Sequence, residues 1–239
     1  MKAFIPAAGL GTRLKPWTLS HPKALFPVDG VPMLQRVVER LHSFGIFDIT
    51  VNCHHFASQI KDFVAEKGWD IKISDESDSL LETGGGLLKA ASLLEGDEPI
   101  LVHNVDILSN ADLKALGEAH VSADALSTLL VSPRDSSRKL LFDEGLTLKG
   151  WHSLKTGEYK PACFKPSPRY QELAFSGIYV VSPEIFSFMH KKGWKGKFSI
   201  MDFFLSTLDE VIYKGFNDVS LKLKDIGKSS DAGFTDCAR

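Results

Sequence analysis

The chain has 239 residues, 44% of them apolar, and its 28 basic against 30 acidic side chains give a formal net charge of −2. Such a chain can bury a sizeable core in one domain, and its balanced charge supplies no bulk attraction to nucleic acid or to an anionic membrane. Its apolar runs fall well short of the roughly 20 residues that span a bilayer, and the first is stopped by Gly9, Gly11 and Arg13 before it could act as a signal peptide, so a cytoplasmic protein is expected.

From the N-terminus, short β-branched runs alternate with amphipathic ones: AFIPAA, PMLQRVVERLHSF, DITVNC, FASQIKDFVAEKG and DIKIS. That alternation predicts βαβ units and an α/β fold with a parallel sheet. GGGLLKAASLLEG predicts a helix opened by glycines, PILVHNVDIL a buried strand, NADLKALGEAH a helix capped by Asn110, and ALSTLLVS another strand. Beyond Ser132 the texture changes. KLLFDEGLTLKGW predicts a β-hairpin about Asp-Glu-Gly and KTGEYKPACFKPSP is rich in turn residues, which marks residues 133–175 as an insertion. SGIYVVS then predicts a strand, PEIFSFMHKK a helix begun by Pro183, SIMDFFLSTLDEV a further helix and VSLKLKDIG a last strand. One domain over residues 1–239 is the simplest organisation, and Cys53, Cys163 and Cys237, widely spaced and without a CxxC pair, read as ordinary thiols.

The loop AAGLGTRLKP after the first strand fails two phosphate-loop templates. A dinucleotide fingerprint needs a third glycine where Leu14 stands, and a Walker loop needs Gly-Lys-Ser/Thr where Gly11 is followed by Thr12 and Arg13. A looser loop fits the residues: small Ala7, Ala8, Gly9 and Gly11 let backbone N–H groups approach a nucleotide, with Arg13 and Lys23 as cations for phosphate oxygens. The loop by itself is equally a strand end with solvated Arg13, Lys15 and Lys23.

The longer stretch AAGLGTRLKPWTLSHPKALFPVDGVPML resembles the signature of the sugar-1-phosphate nucleotidyltransferases, the nucleotide-sugar pyrophosphorylases. LLETGGGLLKAA, PILVHNVDIL, AFSGIYVVSPEIF and SLKLKDIGKSSD resemble further family segments, so the likeness runs through nearly the whole chain. It implies a Rossmann-like, mostly parallel sheet flanked by helices, of the nucleotide-diphospho-sugar transferase type, with a small β-hairpin insertion. It also implies nucleotidyl transfer from a nucleoside triphosphate to a sugar 1-phosphate with release of pyrophosphate. These are small-molecule partners for a monomer or small homo-oligomer.

By the same resemblance Ala7, Ala8, Gly9, Gly11 and Thr12 belong to the nucleotide loop, Thr83, Gly84 and Gly85 lie by the base, and Arg13 and Lys23 hold the triphosphate. Asp106 and Asp225 would be the magnesium ligands, and Asn104, Ser176 and Gly177 would face the sugar. Lys165 is a candidate for the sugar phosphate, with Lys160 competing. The sequence departs from the family in three places: Val105 replaces the glycine of Asn-Gly-Asp, the Thr-Pro after Asp-Ile-Gly is missing, and Pro6 stands where an aliphatic residue is usual. No general base is needed, since the attacking phosphate oxygen is already ionised, so none of the histidines has a role and His54 and His55 read as capping or surface residues.

Within the family, the Glu82-Thr83-Gly84-Gly85-Gly86 run and the short length look most like the bacterial N-acetylmuramate-1-phosphate uridylyltransferases of cell-wall recycling. Mannose-1-phosphate and heptose-1-phosphate guanylyltransferases are close neighbours. A catalytically silent nucleotide-sugar-binding subunit of the same fold would not need all of Arg13, Lys23, Asp106 and Asp225. A glycosyltransferase of similar topology would carry Asp-x-Asp where this chain has Asn104-Val105-Asp106.

Overall fold

The computed structural model describes residues 1–227, so Cys237 and the stretch of the last family segment from Lys228 onward lie outside the described residues. The chain opens with β1 (Lys2–Pro6), the short pair β2 (Pro27–Val28) and β3 (Val31–Pro32), α1 (Met33–Ser43), β4 (Ile49–Cys53), α2 (Ala57–Glu66) and β5 (Ile71–Asp75). Next come α3 (Glu82–Lys89), β6 (Ile100–His103), β7 (Ile107–Ser109), α4 (Leu113–Ser122) and β8 (Ser127–Ser132). The remainder is β9 (Arg138–Phe142), β10 (Leu148–Ser153), β11 (Tyr159–Lys160), β12 (Gln171–Val181), α5 (Glu184–Lys191), α6 (Ile200–Ser206), β13 (Tyr213–Asn217) and β14 (Leu223–Asp225).

The predicted βαβ alternation yields a mostly parallel sheet. Strands β5, β4, β1 and β6 lie side by side and parallel, β12 joins antiparallel to β6, and β8 and β13 follow beyond it, parallel to each other. Strand alternation divides the core between the two faces. Along β1, Ala3 and Ile5 point toward α1, α2 and α4, whereas Phe4 points with Leu87 of α3, Met189 of α5 and Phe203 of α6 to the opposite layer. Helix α1 shows the same logic at its own period: Leu34, Val37, Val38 and Leu41 recur on one stripe and are fully buried, and each such side chain contributes about 2 kcal/mol of burial.

The hairpin about Asp-Glu-Gly is present as β9 and β10, closed by Leu146 N–H to Asp143 O at 3.0 Å and Thr147 N–H to the Asp143 carboxylate at 2.8 Å. With β11 and the first residues of β12, Gln171–Leu173, it forms an extension of the sheet. Pro6 sits where its missing N–H matters little, because the β1 ladder with β6 has already ended at Phe4.

Several local expectations change. The N-cap of α4 is Asp112, whose Oδ1 accepts from Lys114 N and Ala115 N at 3.0 Å each. Asn110 is instead a clip to the chain's far end, accepting from Lys222 N at 2.7 Å. PILVHNVDIL is two strands, β6 and β7, broken by a turn at residues 104–106, and only Leu223–Asp225 of the last predicted strand pairs. Glycines 84 to 86 lie inside α3 rather than before it.

Candidate active site

The parallel strands β1, β4 and β6 all end at one edge of the sheet, the edge where open α/β folds bind ligands. Residues after β1 and β6 define a chamber of about 360 Å³ lined by Ala8, Gly9, Lys23, Asn52, Thr83, Asn104 and Asp106, with Pro6 at its margin. A second chamber of about 500 Å³ is lined by Arg13, Thr83, Asn104, Ser176, Gly177 and Asp225. The two meet at Thr83, Asn104 and Ser199, which line both.

The loop after β1 owes its course to contacts that only small residues permit. Gly11 has a φ of +60°, and a Cβ there would fall 2.8 Å from Lys23 Cβ and 2.9 Å from Thr18 Cγ2. The glycine therefore brings the Lys23 stem against the loop. Ala7 N and Ala8 N both donate to Asn52 Oδ1, at 2.6 and 3.2 Å. Asn52 in turn donates from Nδ2 to Glu76 Oε1 at 2.6 Å, and Leu81 N donates to Glu76 Oε2 at 3.3 Å. Glu76 is fully buried and its carboxyl is held above the usual carboxylate range by that burial. His54 Nδ1 meets the Glu76 carbonyl at 2.6 Å, a structural contact, while the His55 ring lies tilted against Phe56 with centroids 4.0 Å apart.

The three glycines of α3 serve close packing. A Cβ at Gly84 would lie 2.4 Å from the Phe198 ring, one at Gly85 2.1 Å from the Gly196 carbonyl, and one at Gly86 2.6 Å from Asn52 Nδ2. The amides of Gly84 and Gly85 both donate to Phe198 O, at 3.0 and 3.1 Å. Thr83 Oγ1 accepts from Ile200 N at 3.0 Å, joining α3 to the start of α6.

Asp106 and Asp225 come together although they are far apart in sequence. Antiparallel pairing of β14 with β7 sets Asp225 opposite Ile107, and Ile226 N donates to Asp106 O at 2.9 Å. A Cβ placed on Gly227 would meet Asp106 Oδ2 at 2.7 Å, Asp225 Oδ1 at 3.1 Å and Arg13 Nη2 at 3.2 Å, so two carboxylates and a guanidinium surround one point. Lys23 Nζ is paired with Asp106 Oδ2. Two hard oxygen donors beside two cationic side chains suit magnesium, which takes one or two carboxylates and completes its shell with water and phosphate oxygens. No cluster of three or more carboxylate, histidine or cysteine ligands exists among the described residues.

On the side of the larger chamber, Gly177 (φ +79°) bulges β12 so that its carbonyl accepts from Asn104 N at 3.1 Å. Ser176 Oγ accepts from Ile178 N at 3.1 Å. Ala7, Gly11, Thr12, Gly84 and Gly85 support these walls without lining either chamber, and Lys165 is exposed and lines neither. Lys160 lies nearer, its ammonium 5.4 Å from the centre of the Trp151 ring that lines the larger chamber.

Four residues were missed by the sequence reading. Asn52 and Glu76 follow from position, since each ends or follows a parallel strand at the ligand edge, but nothing in DITVNC or SDES announces a buried pair. Arg134 and Lys139, which line the larger chamber, lie in the 133–175 insertion, expected on the sugar side but with neither residue singled out.

Residues 2–232 match the family described as Nucleotidyl transferase. N-acetylmuramate alpha-1-phosphate uridylyltransferase of Caulobacter vibrioides is 31% identical over 209 residues, 83% of this chain and 81% of that protein. Mannose-1-phosphate guanylyltransferase 1 of Arabidopsis thaliana is 29% identical over 193 residues, 77% of this chain and 51% of that protein, so the chain spans about half its length. The crystal structure of HddC from Yersinia pseudotuberculosis shares the fold, with a TM-score of 0.74 at 24% identity over 97% of this chain and 96% of that one. Helices on both faces of a mostly parallel sheet and a match over nearly the full length make the chain a member of the nucleotidyl transferase family, within its sugar-1-phosphate nucleotidyltransferases.

Proposed function

We propose that this protein transfers the uridylyl group of UTP to N-acetylmuramate 1-phosphate, releasing pyrophosphate, as a magnesium-dependent cytoplasmic enzyme of cell-wall recycling. The observation that carries the reading is the convergence of Asp106, Asp225 and Arg13 around Gly227, next to the junction of two chambers. The Caulobacter relative, which matches over most of both chains, supports the choice of sugar and base.

In this reading the smaller chamber takes the nucleotide and the larger one the sugar. Asn52 holds the loop at Ala7 and Ala8 so that the chain can pass close to the base. Lys23 is a point charge for the α-phosphate, and Arg13 offers a forked contact to the charge that builds on the departing pyrophosphate. Asp106 and Asp225 would hold magnesium, which when bound supplies charge neutralisation between two polyanions. Asn104, at the junction, orients the incoming sugar phosphate, and positioning of this kind supplies most of the acceleration in phosphoryl chemistry.

A guanylyltransferase acting on mannose 1-phosphate is the second reading, favoured by the Arabidopsis relative. Pyrophosphate release measured over four nucleoside triphosphates and a set of sugar 1-phosphates decides between them. Turnover with UTP and N-acetylmuramate 1-phosphate is expected, and turnover with GTP and mannose 1-phosphate alone overturns the uridylyl assignment. Asp106→Asn is expected to abolish turnover while the protein stays folded; near wild-type activity would sink the metal assignment.

A further inference from the structure

The larger chamber holds more positive charge than its walls balance. Arg13, Arg134, Arg138 and Lys139 line it, against the single carboxylate of Asp225. Lys139 is the unusual member, because it is 8% exposed and, among the described residues, its one side-chain hydrogen bond is from Nζ to the Arg134 carbonyl at 2.7 Å. Among the described residues Lys139 and Arg134 form no ion pair within 4.0 Å; the Asp225 carboxylate acts on Arg134 from across the chamber, and none is seen to act on Lys139. A buried ammonium without a counter-ion is costly, and the usual solution is that something supplies one.

Two further groups in the same chamber are unsatisfied. The Tyr179 hydroxyl, on a residue 2% exposed, and the buried Arg134 Nε have no hydrogen-bond partner among the described residues. Burial keeps the Tyr179 phenol protonated. Lys139, Arg134 and Tyr179 therefore present spare donors and net positive charge, which a sugar hydroxyl can satisfy only in part and a carboxylate satisfies fully.

The reacting phosphate has its own place. It must meet the α-phosphate where the chambers join, beside Asp106 and with Arg13 at hand. Lys139 and Arg134 come from β9 and the segment between β8 and β9, and neither lines the nucleotide chamber. We propose that Lys139 and Arg134, with Tyr179, form a second anion subsite that reads an acidic substituent on the sugar ring and selects a carboxylate-bearing sugar 1-phosphate over its neutral parent. This inference rests on the reading that the larger chamber takes the sugar 1-phosphate.

The test compares three substrates with the wild-type enzyme: N-acetylmuramate 1-phosphate, its carboxyl methyl ester, and N-acetylglucosamine 1-phosphate. The free acid is expected to exceed both neutral compounds in kcat/KM by at least about tenfold, as loss of a charged hydrogen bond implies. In Lys139→Met that ratio is expected to fall toward one, with Lys139→Arg restoring part of it. Equal use of acid and ester by the wild type overturns the proposal, and so does a Lys139→Met enzyme in which all three substrates lose the same factor, since the cation then serves the reacting phosphate. Should no sugar 1-phosphate turn over at all, the functional reading fails, and equilibrium binding of the same three compounds still decides the subsite: tighter binding of the acid supports it, equal binding overturns it.

Discussion

Asn52 stands between the loop after β1 and a buried acid: its Oδ1 receives the amides of Ala7 and Ala8 at 2.6 and 3.2 Å, while its Nδ2 donates to Glu76 Oε1 at 2.6 Å. One side chain thus satisfies two loop donors and anchors them to a residue with no solvent contact. Asn52→Leu leaves both amides and one carboxylate oxygen without their partner, at a cost of about 2 kcal/mol or more. The same variant is expected to raise the KM for the nucleoside triphosphate on the order of tenfold through misplacement of the loop. Urea unfolding and initial rates at varied nucleotide check the two effects separately.

Gly86 depends on that pair. A methyl group there would sit 2.6 Å from Asn52 Nδ2 and 2.7 Å from Glu76 Oε1. Alanine favours a helix over glycine by about 1 kcal/mol, yet Gly86→Ala is expected to destabilise by roughly 1–3 kcal/mol because the buried contact must spread. Gly85→Ala, whose methyl group would lie 2.1 Å from the Gly196 backbone carbonyl, is expected to cost more, since backbone yields less than a side chain. Thermal unfolding of the two variants ranks them.

Gly227→Ala addresses the acidic pair. Its methyl group would press on Asp106 Oδ2 at 2.7 Å and Asp225 Oδ1 at 3.1 Å. Displaced carboxylates hold a cation less well, so the magnesium concentration for half-maximal turnover is expected to rise roughly 10- to 100-fold. A magnesium titration of the steady-state rate reads this directly, with unchanged circular dichroism as the control for folding.

His103 carries a pH signature. It is fully buried on β6, its Nδ1 donates to Asn104 O at 3.0 Å, and its Nε2 has no partner among the described residues. Burial lowers its pKa from 6.5 to about 4. Because the folded-state value is depressed, the associated stability is present in full above pH 6.5 and is lost as pH falls toward 4. The loss amounts to about 3 kcal/mol. Chemical denaturation between pH 7 and pH 4 is expected to show a steeper decline for the wild type than for His103→Leu, and parallel curves would remove His103 as the cause.

Much of the architecture was legible because it is written locally. The βαβ alternation follows from hydrophobic periods, and the stripe Leu34, Val37, Val38 and Leu41 marks the buried face of α1 before any packing is known. The cap of α4 is not decided locally. Asn110 and Asp112 are equally good caps in isolation, and pairing of Asn110 with Lys222 decided between them.

The sequence by itself determined the α/β class and the family, and it singled out Arg13, Lys23, Asp106 and Asp225 as the expected site, since short motifs carry them. Only the tertiary structure decided that Asp106, Asp225 and Arg13 surround one point, that the α3 glycines exist to admit Phe198, Gly196 and Asn52, and that Lys139 is buried facing the larger chamber. Each of these depends on which distant segments touch. Contact between segments far apart in the chain is set by sheet order and register, as when β14 pairs with β7, and no periodicity within either strand encodes its partner.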